Sequence, residues 1–375
     1  MTLPEARVPG RPLVMGVVNV TPDSFSDGGA WFTPEAAVSH GRRLLSEGAD
    51  LVDVGGESTR PGAERPSTAE ELRRVIPVVE ELSALVPVSV DTMRAEVAAA
   101  ALDAGATLVN DVSGGLADPQ MAPLVAERGV PMVAMHWRGH STQMQRRAHY
   151  DDVVADVCRE LGERVEALVA AGIRREDVIL DPGLGFAKLA PHNWELLRRL
   201  DELAALGHRL VLGTSRKKFL GLVGRTPATE RQPLARDTAT AATSLYAAQH
   251  AVWAVRVHEV RGTVDALDVA DALRGRPLPP RGRRATGSAS PACADAASTG
   301  SSSRSVARVR SSSSTSSSPS TSRRPGAVTT SRTPSTTARS GRPPSPASRG
   351  SRTTSSSASP TSSRRTPCST RASTR

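Results

Sequence analysis

The chain has 375 residues and a formal charge of +10, and this charge is concentrated in its C-terminal part. Residues 276–375 contain 18 arginines and a single acid, Asp295, so they carry +17, while the first 275 residues carry about −7. The distribution excludes a basic, nucleic-acid-binding protein as a description of the whole chain. No apolar run approaches the roughly 20 residues of a membrane span, and residues 1–11 lack a signal sequence. We therefore expect a soluble, cytoplasmic protein.

Short apolar runs rich in β-branched residues recur through the first 275 residues, and each is followed by a stretch with helical spacing. Strands are predicted at residues 13–20, 51–54, 86–90, 107–110, 130–135, 178–180, 209–212 and 251–257. Helices are predicted at residues 34–47, 68–85, 94–104, 118–128, 151–171, 193–206, 235–250 and 263–273. Thr33 and Ser67 are expected to cap the first two helices, and Gly48 follows the end of the first.

Eight alternations of strand and helix in about 260 residues are what a closed (β/α)₈ barrel requires. An open, doubly wound sheet usually has fewer strands and a glycine-rich phosphate-binding turn after the first one. Neither property fits this chain. We therefore predict an α/β fold, a single (β/α)₈ TIM barrel over residues 11–275, followed by a separate tail.

The first predicted strand ends at an amide, Asn19, and leads into a loop dense in hydroxyls, carboxylates and glycines, with one aromatic residue, Phe25. Such a loop contributes little to a core, so its composition indicates ligand binding. The loops at residues 21–33 and 56–66 are long for strand–helix connections, and loops of this kind often close over a substrate. Ordinary surface loops are the alternative.

Nearly every predicted strand ends in polar side chains. In chain order these ends carry Asn19, Asp53, Asp91, Asn110, His136, Asp181, Ser215 and Arg256. Because the carboxyl ends of barrel strands converge on one face, we expect these side chains to lie close together there. A helix cap explains one such residue, but capping alone does not explain eight in succession.

The polar strand ends fall into two chemical groups. Asp91, Asn110 and Asp181 suit the N–H edge of a nitrogen heterocycle, with helix capping or indirect support as the alternative for each alone. The second group suits phosphate oxygens and consists of Asn19, Thr59, Lys217, Arg256 and His258. The oxygen of Asn19 can also bind Mg²⁺ beside a pyrophosphate. No cluster of His and Cys has the spacing of a zinc site.

The last 100 residues are rich in Ser, Thr, Pro and Arg and have almost no large apolar side chains. They bury too little surface to offset their ordering entropy, so we expect residues 276–375 to be disordered. Two other interpretations stay open: frameshifted translation of a GC-rich sequence, and an arm that binds RNA or another partner. The segment lacks aromatic residues for stacking on bases, so no nucleic-acid partner is expected.

Two segments closely resemble the signature motifs of the dihydropteroate synthase family: residues 15–29, MGVVNVTPDSFSDGG, and residues 55–62, GGESTRPG. Further matching segments follow in the family's order at residues 88–92, 110–114, 181–186, 215–217 and 256–258. The resemblance covers about residues 12–274. It implies condensation of p-aminobenzoate with 7,8-dihydropterin pyrophosphate to give 7,8-dihydropteroate and pyrophosphate in folate synthesis. It also implies a Mg²⁺ cofactor, sulfonamide inhibition and a homodimer.

The resemblance also implies a role for individual residues. It places the pterin against Asp91, Asn110, Asp181 and Lys217. It places pyrophosphate and Mg²⁺ against Asn19, Thr59, Arg256 and His258. It forms the p-aminobenzoate pocket from Phe25, Ser58, Thr59, Arg60, Pro61, Phe186 and Lys217. The catalytic group would be Asp91, Asp181, Lys217 and Arg256, and we expect Lys217→Ala or Arg256→Ala to lower turnover by orders of magnitude while leaving the fold intact.

Three other functions compete with this one. The pterin domain of a corrinoid-dependent methyltransferase shares the Asp–Asn–Asp pattern, but it needs neither the pyrophosphate group nor the loop at residues 59–61. A non-catalytic pterin-binding paralogue should have lost members of the two long loops, and none is missing here. The third is an RNA-associated protein that acts through the Arg- and Ser-rich tail.

Overall fold

The computed structural model describes residues 3–4, 10–21, 33–58, 65–139, 147–224 and 230–276. Eight parallel strands pair in sequence order, and β1 pairs with β8 to close a barrel. They are β1 Leu13–Asn19, β2 Leu51–Gly55, β3 Val88–Asp91, β4 Leu108–Asp111, β5 Met132–Met135, β6 Val178–Asp181, β7 Arg209–Leu212 and β8 Ala254–Val257. The predicted (β/α)₈ TIM barrel is confirmed.

Helices follow the strands as predicted. They are α1 Pro34–Glu47, α2 Thr68–Ser83, α3 Ala95–Asp103, α4 Met121–Arg128, α5 Val153–Ala170, α6 Ala190–Arg198, α7 Leu200–Ala204, α8 Asp237–Ala247 and α9 Arg261–Leu273. Thr33 and Ser67 cap α1 and α2 by accepting hydrogen bonds from the backbone N–H groups of Ala36 and Glu70. One predicted helix is divided into α6 and α7, because Arg199 between them leaves helical geometry (φ −112°, ψ 36°).

Each strand is buried on both faces, which explains why the strands read as apolar runs rather than alternating ones. The outward side chains pack against the helices. The inward side chains of the N-terminal half fill the barrel with an apolar layer formed by Leu13, Met15, Leu51, Leu108, Val133, Ile179, Val211 and Ala254. Because alternate residues of a strand face the same side, the next inward positions include Asp53, Asn110, Asp181 and Arg256. The fold thus places polar side chains directly above an apolar floor.

No helix within the described ranges is long and apolar enough to cross a membrane. Disorder is predicted for residues 276–375. Of these the structure describes Arg276 alone, so the prediction lies outside the described residues. Most of the two long loops, at residues 22–32 and 59–64, lies outside them as well.

Candidate active site

The polar strand ends lie together at the C-terminal rim of the barrel. Asp53, Asp91, Asn110 and Asp181 are all buried, with at most 8 % of their surface exposed. Asn19, Phe186, Lys217, Arg256 and His258 are half-buried around them. Buried carboxylates need a partner, because an isolated charge in such surroundings is unstable. The arrangement is therefore a set of acids that the protein or a ligand must neutralise.

Arg256 provides this neutralisation by contacting two carboxylates at once. Its Nε donates to Oδ2 of Asp53 at 2.6 Å, and its Nη2 donates to Oδ2 of Asp91 at 2.8 Å. Burial lowers the pKa of Arg256, but Asp53 and Asp91 outweigh this effect and raise the pKa above its usual value. The guanidinium group therefore stays charged and is held in a fixed orientation at the rim.

Asp53 also orients Asn110. The Nδ2 of Asn110 donates to Oδ2 of Asp53 at 3.0 Å. This contact fixes which way the amide points, so its oxygen is the atom left to accept a hydrogen bond from a ligand. The sequence analysis gave Asp53 no role of its own. Its role could have been suspected because it is a carboxylate at an inward position of an otherwise apolar strand.

Asp91 and Asp181 are acids whose ionisation depends on their surroundings. Burial raises the pKa of Asp91 to about 8, although Arg256 acts in the opposite direction. Burial likewise raises the pKa of Asp181, while Lys217 and the N–H of Gly183 oppose it. That N–H donates to Oδ1 of Asp181 at 2.7 Å. N–H donors of a bound ligand would stabilise the ionised form of both acids.

Lys217 lies between Asp181 and an aromatic ring. Its Nζ donates to the carbonyl oxygen of Leu184 and is 4.9 Å from the ring centroid of Phe186. Desolvation lowers the pKa of Lys217 to about 8, although Asp181 opposes the shift. Gly185 has a φ of +81°, and a Cβ there would lie 3.0 Å from Cδ of Lys217, so glycine is required beside the lysine.

Apolar side chains form a wall beside the acids. Met93, Val112 and Met135 are buried against one another, and Phe186 and Trp137 pack on them. Such a surface suits the face of a flat ring whose edge meets the carboxylates.

His258 lies at the end of β8 and is held by Ser215. The backbone N–H of His258 donates to Oγ of Ser215 at 3.0 Å, and that hydroxyl is 2.9 Å from Nδ1 of the same histidine. The hydroxyl group can donate to Nδ1 or accept a second hydrogen bond from it, so Ser215 fixes the position of the imidazole ring in either tautomer.

The structure brings together nine of the sequence-predicted site residues at or next to this rim. They are Asn19, Ser58, Asp91, Asn110, Asp181, Phe186, Lys217, Arg256 and His258. Phe25, Thr59, Arg60 and Pro61 lie outside the described residues, so their placement stays a prediction. Lys188, a second lysine close to Asp181, is buried although the sequence did not single it out.

Comparison with known proteins gives a consistent result. A family model described as "Pterin binding enzyme" matches residues 15–258. A dihydropteroate synthase of Mycobacterium leprae is 55% identical over 262 residues, which are 69% of this chain and 92% of that protein. The solved structure of Xanthomonas albilineans dihydropteroate synthase with 4-aminobenzoic acid is 49% identical, with a TM-score of 0.64, covering 71% of this chain and 94% of that one. The Yersinia pestis dihydropteroate synthase in a sulfonamide drug complex is 41% identical, with a TM-score of 0.67, covering 73% and 100%.

Proposed function

This chain belongs to the pterin binding enzyme family as one of the dihydropteroate synthases, and we propose that the rim described above joins p-aminobenzoate to 7,8-dihydropterin pyrophosphate. The observation that carries this proposal is the contact of Arg256 with both Asp53 and Asp91. This contact places a cation next to a group of acids. The acids suit the nitrogen heterocycle of the substrate, and the cation suits its phosphates.

The pterin ring is proposed to lie against the apolar wall with its N–H edge toward the acids. Asp91 and Asp181 accept hydrogen bonds from ring N–H groups, and Asn110 accepts one through the oxygen that Asp53 leaves available. Charge-assisted hydrogen bonds of this kind are stronger than neutral ones. The carboxylates also favour the electron-poor pterin that forms when the leaving group departs.

Pyrophosphate is proposed to leave toward Arg256 and His258. Arg256 binds phosphate oxygens through its guanidinium N–H groups, and His258 binds them through an N–H of its imidazole ring. Both stabilise the negative charge that develops as the C–O bond of the pterin methylene group breaks. Thr59, outside the described residues, is proposed to join them.

The residues at the rim are compatible with a Mg²⁺ ion that would be held mostly by the substrate. Asn19 ends β1, opposite Gly55 of β2, and offers an amide oxygen. No group of three or more His, Cys, Asp or Glu side chains in the described part of the chain is placed to hold a metal alone. Mg²⁺ commonly takes one or two protein oxygens and completes its shell with phosphates and water. We assign Asn19 as its protein ligand, and the ion when bound would neutralise the leaving pyrophosphate.

The second substrate is proposed to bind next to Lys217 and Phe186. Ser58 and, outside the described residues, Phe25, Thr59, Arg60 and Pro61 complete this pocket. The amine of p-aminobenzoate is uncharged at neutral pH, so it attacks the methylene carbon directly. The new C–N bond forms, the C–O electrons leave with pyrophosphate, and the amine proton passes to solvent. This chemistry needs neither a protein nucleophile nor a strong base.

Release of pyrophosphate tests the proposed function. The chain is expected to release pyrophosphate from 7,8-dihydropterin pyrophosphate only when p-aminobenzoate is present, and to form one dihydropteroate for each pyrophosphate. A sulfonamide is expected to raise the KM for p-aminobenzoate and to leave kcat unchanged, because both occupy one pocket. Pterin binding without pyrophosphate release would instead favour a non-catalytic paralogue.

A homodimer is proposed through the face formed by α6 and α8. A groove of about 550 Å³ lies there between Trp194, Leu197, Leu220, Ala242 and Tyr246. Two leucines in the neighbouring 3₁₀ turns, Leu222 and Leu234, are 59% and 61% exposed. An apolar surface of this kind is typical of a subunit interface.

The oligomeric state measured by sedimentation tests this proposal. The wild-type chain is expected to sediment as a dimer, and Ala242→Glu as a monomer, because a charge would be buried without a partner. Ala69→Glu, on an exposed position of α2, makes the same chemical change elsewhere and should leave the dimer intact. A wild-type monomer, or an Ala242→Glu dimer, would contradict the proposal.

Apart from the second subunit, the proposed partners are the two small-molecule substrates. We propose the cytoplasm as the location, because three cysteines without disulfide spacing suit a reducing compartment.

A further inference from the structure

Lys188 is a buried cation close to the pterin acids, and the proposed reaction has not used it. Only 3% of its surface is exposed. Its Nζ is 2.9 Å from Nδ1 of His136 and donates to the carbonyl oxygen of Phe186 at 3.1 Å. A lysine is almost never this buried unless its charge is paired.

The contacts of Lys188 determine the protonation of His136. An ammonium group can only donate, so Nδ1 of His136 must be the acceptor. The ring proton then lies on Nε2, which is 2.9 Å from Oε2 of Glu160. Burial and the charge of Lys188 lower the pKa of His136 to about 4, so the ring stays neutral and can accept.

Glu160 fixes the far side of the histidine. It accepts a hydrogen bond from His136 and two from Arg138. These hydrogen bonds, the one from His136 above all, hold the pKa of Glu160 well below its usual range. The carboxylate therefore stays charged and keeps the ring of His136 turned toward Lys188.

Lys188 acts on Asp181 through space: its Nζ lies 3.4 Å from the position of a Cβ on Gly183, whose N–H donates to Asp181. Asp181 opposes the effect of burial on Lys188, and Lys188 in turn helps to lower the pKa of Asp181. The backbone N–H of His136 donates to the carbonyl oxygen of Asp181 at 2.8 Å. The titratable or charged groups that face Lys188 from the neighbouring elements are Asp181, Lys217, Arg138, Glu160, His136, Tyr150 and His192.

We propose that Lys188 is a positioning residue for pterin binding: its ammonium group places a positive charge beside Asp181. Neutral His136, oriented by Glu160, keeps the ammonium group in this position. The inference rests on the proposed function, because it assumes that Asp181 accepts hydrogen bonds from a pterin.

Binding of 6-hydroxymethylpterin, measured by calorimetry across a pH series, tests this role. Lys188→Met removes the charge and keeps a side chain of similar length. The variant is expected to bind the pterin about tenfold more weakly near pH 6, because a nearby cation lowers the pKa of a carboxyl group by about one unit or more. The KM for p-aminobenzoate should change less than the pterin affinity, because Lys188 reaches that pocket only through the backbone of Phe186.

The pH dependence separates this role from general damage. Burial lowers the pKa of Lys188 to about 7, so in the wild type its charge is present below this pH and lost above it. The affinities of the wild type and Lys188→Met should therefore converge above about pH 8. A loss that is equal at every pH would indicate only a structural role and would overturn the inference.

Two further variants keep the test decisive. Lys188→Gln can hydrogen bond to His136 and Phe186 but carries no charge, so it should reproduce the pH-dependent loss of Lys188→Met. Wild-type binding by Lys188→Gln would overturn the inference, and this milder change also serves if Lys188→Met does not fold. Arg175→Met removes one exposed charge at the opposite end of β6 and should change nothing. A wild-type protein that binds no pterin at any pH would contradict the proposed function instead.

Discussion

Arg256→Met is expected to lower kcat/KM by about a hundredfold to a thousandfold, the range found when one group that stabilises developing charge is removed. It should also destabilise the fold by about 3 kcal/mol, because it leaves the carboxylates of Asp53 and Asp91 buried without a cation. The sequence alone predicted an intact fold for a substitution at this position. The contact with two buried acids is the reason to expect otherwise.

The destabilisation caused by Arg256→Met is expected to depend on pH. Burial already raises the pKa of Asp91 to about 8, and loss of Arg256 would raise it further. A carboxyl group with a raised folded-state pKa supports the fold below its unfolded pKa and loses this contribution as the pH rises. Below about pH 8 Asp91 is protonated in both folded proteins, so this loss is common to them; above it, Asp91 ionises beside Arg256 in the wild type but not in the variant. The destabilisation of Arg256→Met should therefore be larger at about pH 9 than at about pH 7 in urea unfolding experiments.

Two comparisons control for the loss of an arginine. Arg209→Met changes an arginine at the start of β7, at the opposite end of the barrel, and should leave kcat/KM unchanged. Adding Asp53→Asn to Arg256→Met removes one of the unpaired charges and should recover part of the stability without restoring turnover. A double variant no more stable than Arg256→Met would show that the two carboxylates are not the cause.

Lys217→Met is expected to have the second largest effect, a decrease in kcat/KM of about a hundredfold for both substrates. Lys217 lies between Asp181, proposed to bind the pterin, and Phe186, proposed to line the p-aminobenzoate pocket. Methionine keeps the apolar stem against Phe186 and Gly185, so the unfolding free energy should change much less than in Arg256→Met.

The pH profile of kcat/KM shows whether Lys217 is the group whose titration limits activity at high pH. Desolvation lowers the pKa of Lys217 to about 8, so the charged form is lost as the pH rises through this value. Wild-type kcat/KM should fall in this range, and the residual activity of Lys217→Met should lack that decrease. Equal alkaline decreases in both proteins would assign the titration to another group. Lys217→Arg keeps a charge but not the compact ammonium group, so a partial recovery is expected.

The barrel and its polar rim could be predicted because both follow from local patterns. Each strand carries its apolar run and each helix its spacing, and parallel strands bring their ends to one face whatever the loops contain. The break at Arg199 could not be predicted, since the residues around it have ordinary helical composition.

The roles of Asp53 and Lys188 depend on contacts that no local pattern contains. Asp53 acquires its role from Arg256, which is 203 positions away, and from Asn110, which is 57 away. Lys188 contacts His136, which follows a different strand, and His136 contacts Glu160 of a helix. A sequence shows that such residues are polar, but only the folded chain shows which partners they have.

Asp53 touches both Arg256 and Asn110 through a single oxygen, so β2 links two strands that are not its neighbours in the barrel. A disturbance of the guanidinium group should thus reach the amide on the other side of the barrel. The effects of Arg256 and Asn110 substitutions on binding should consequently be non-additive, although the two residues share no direct contact in the structure. Departure of the diphosphate from Arg256 would then change the hydrogen bonding of Asn110, which binds the heterocycle.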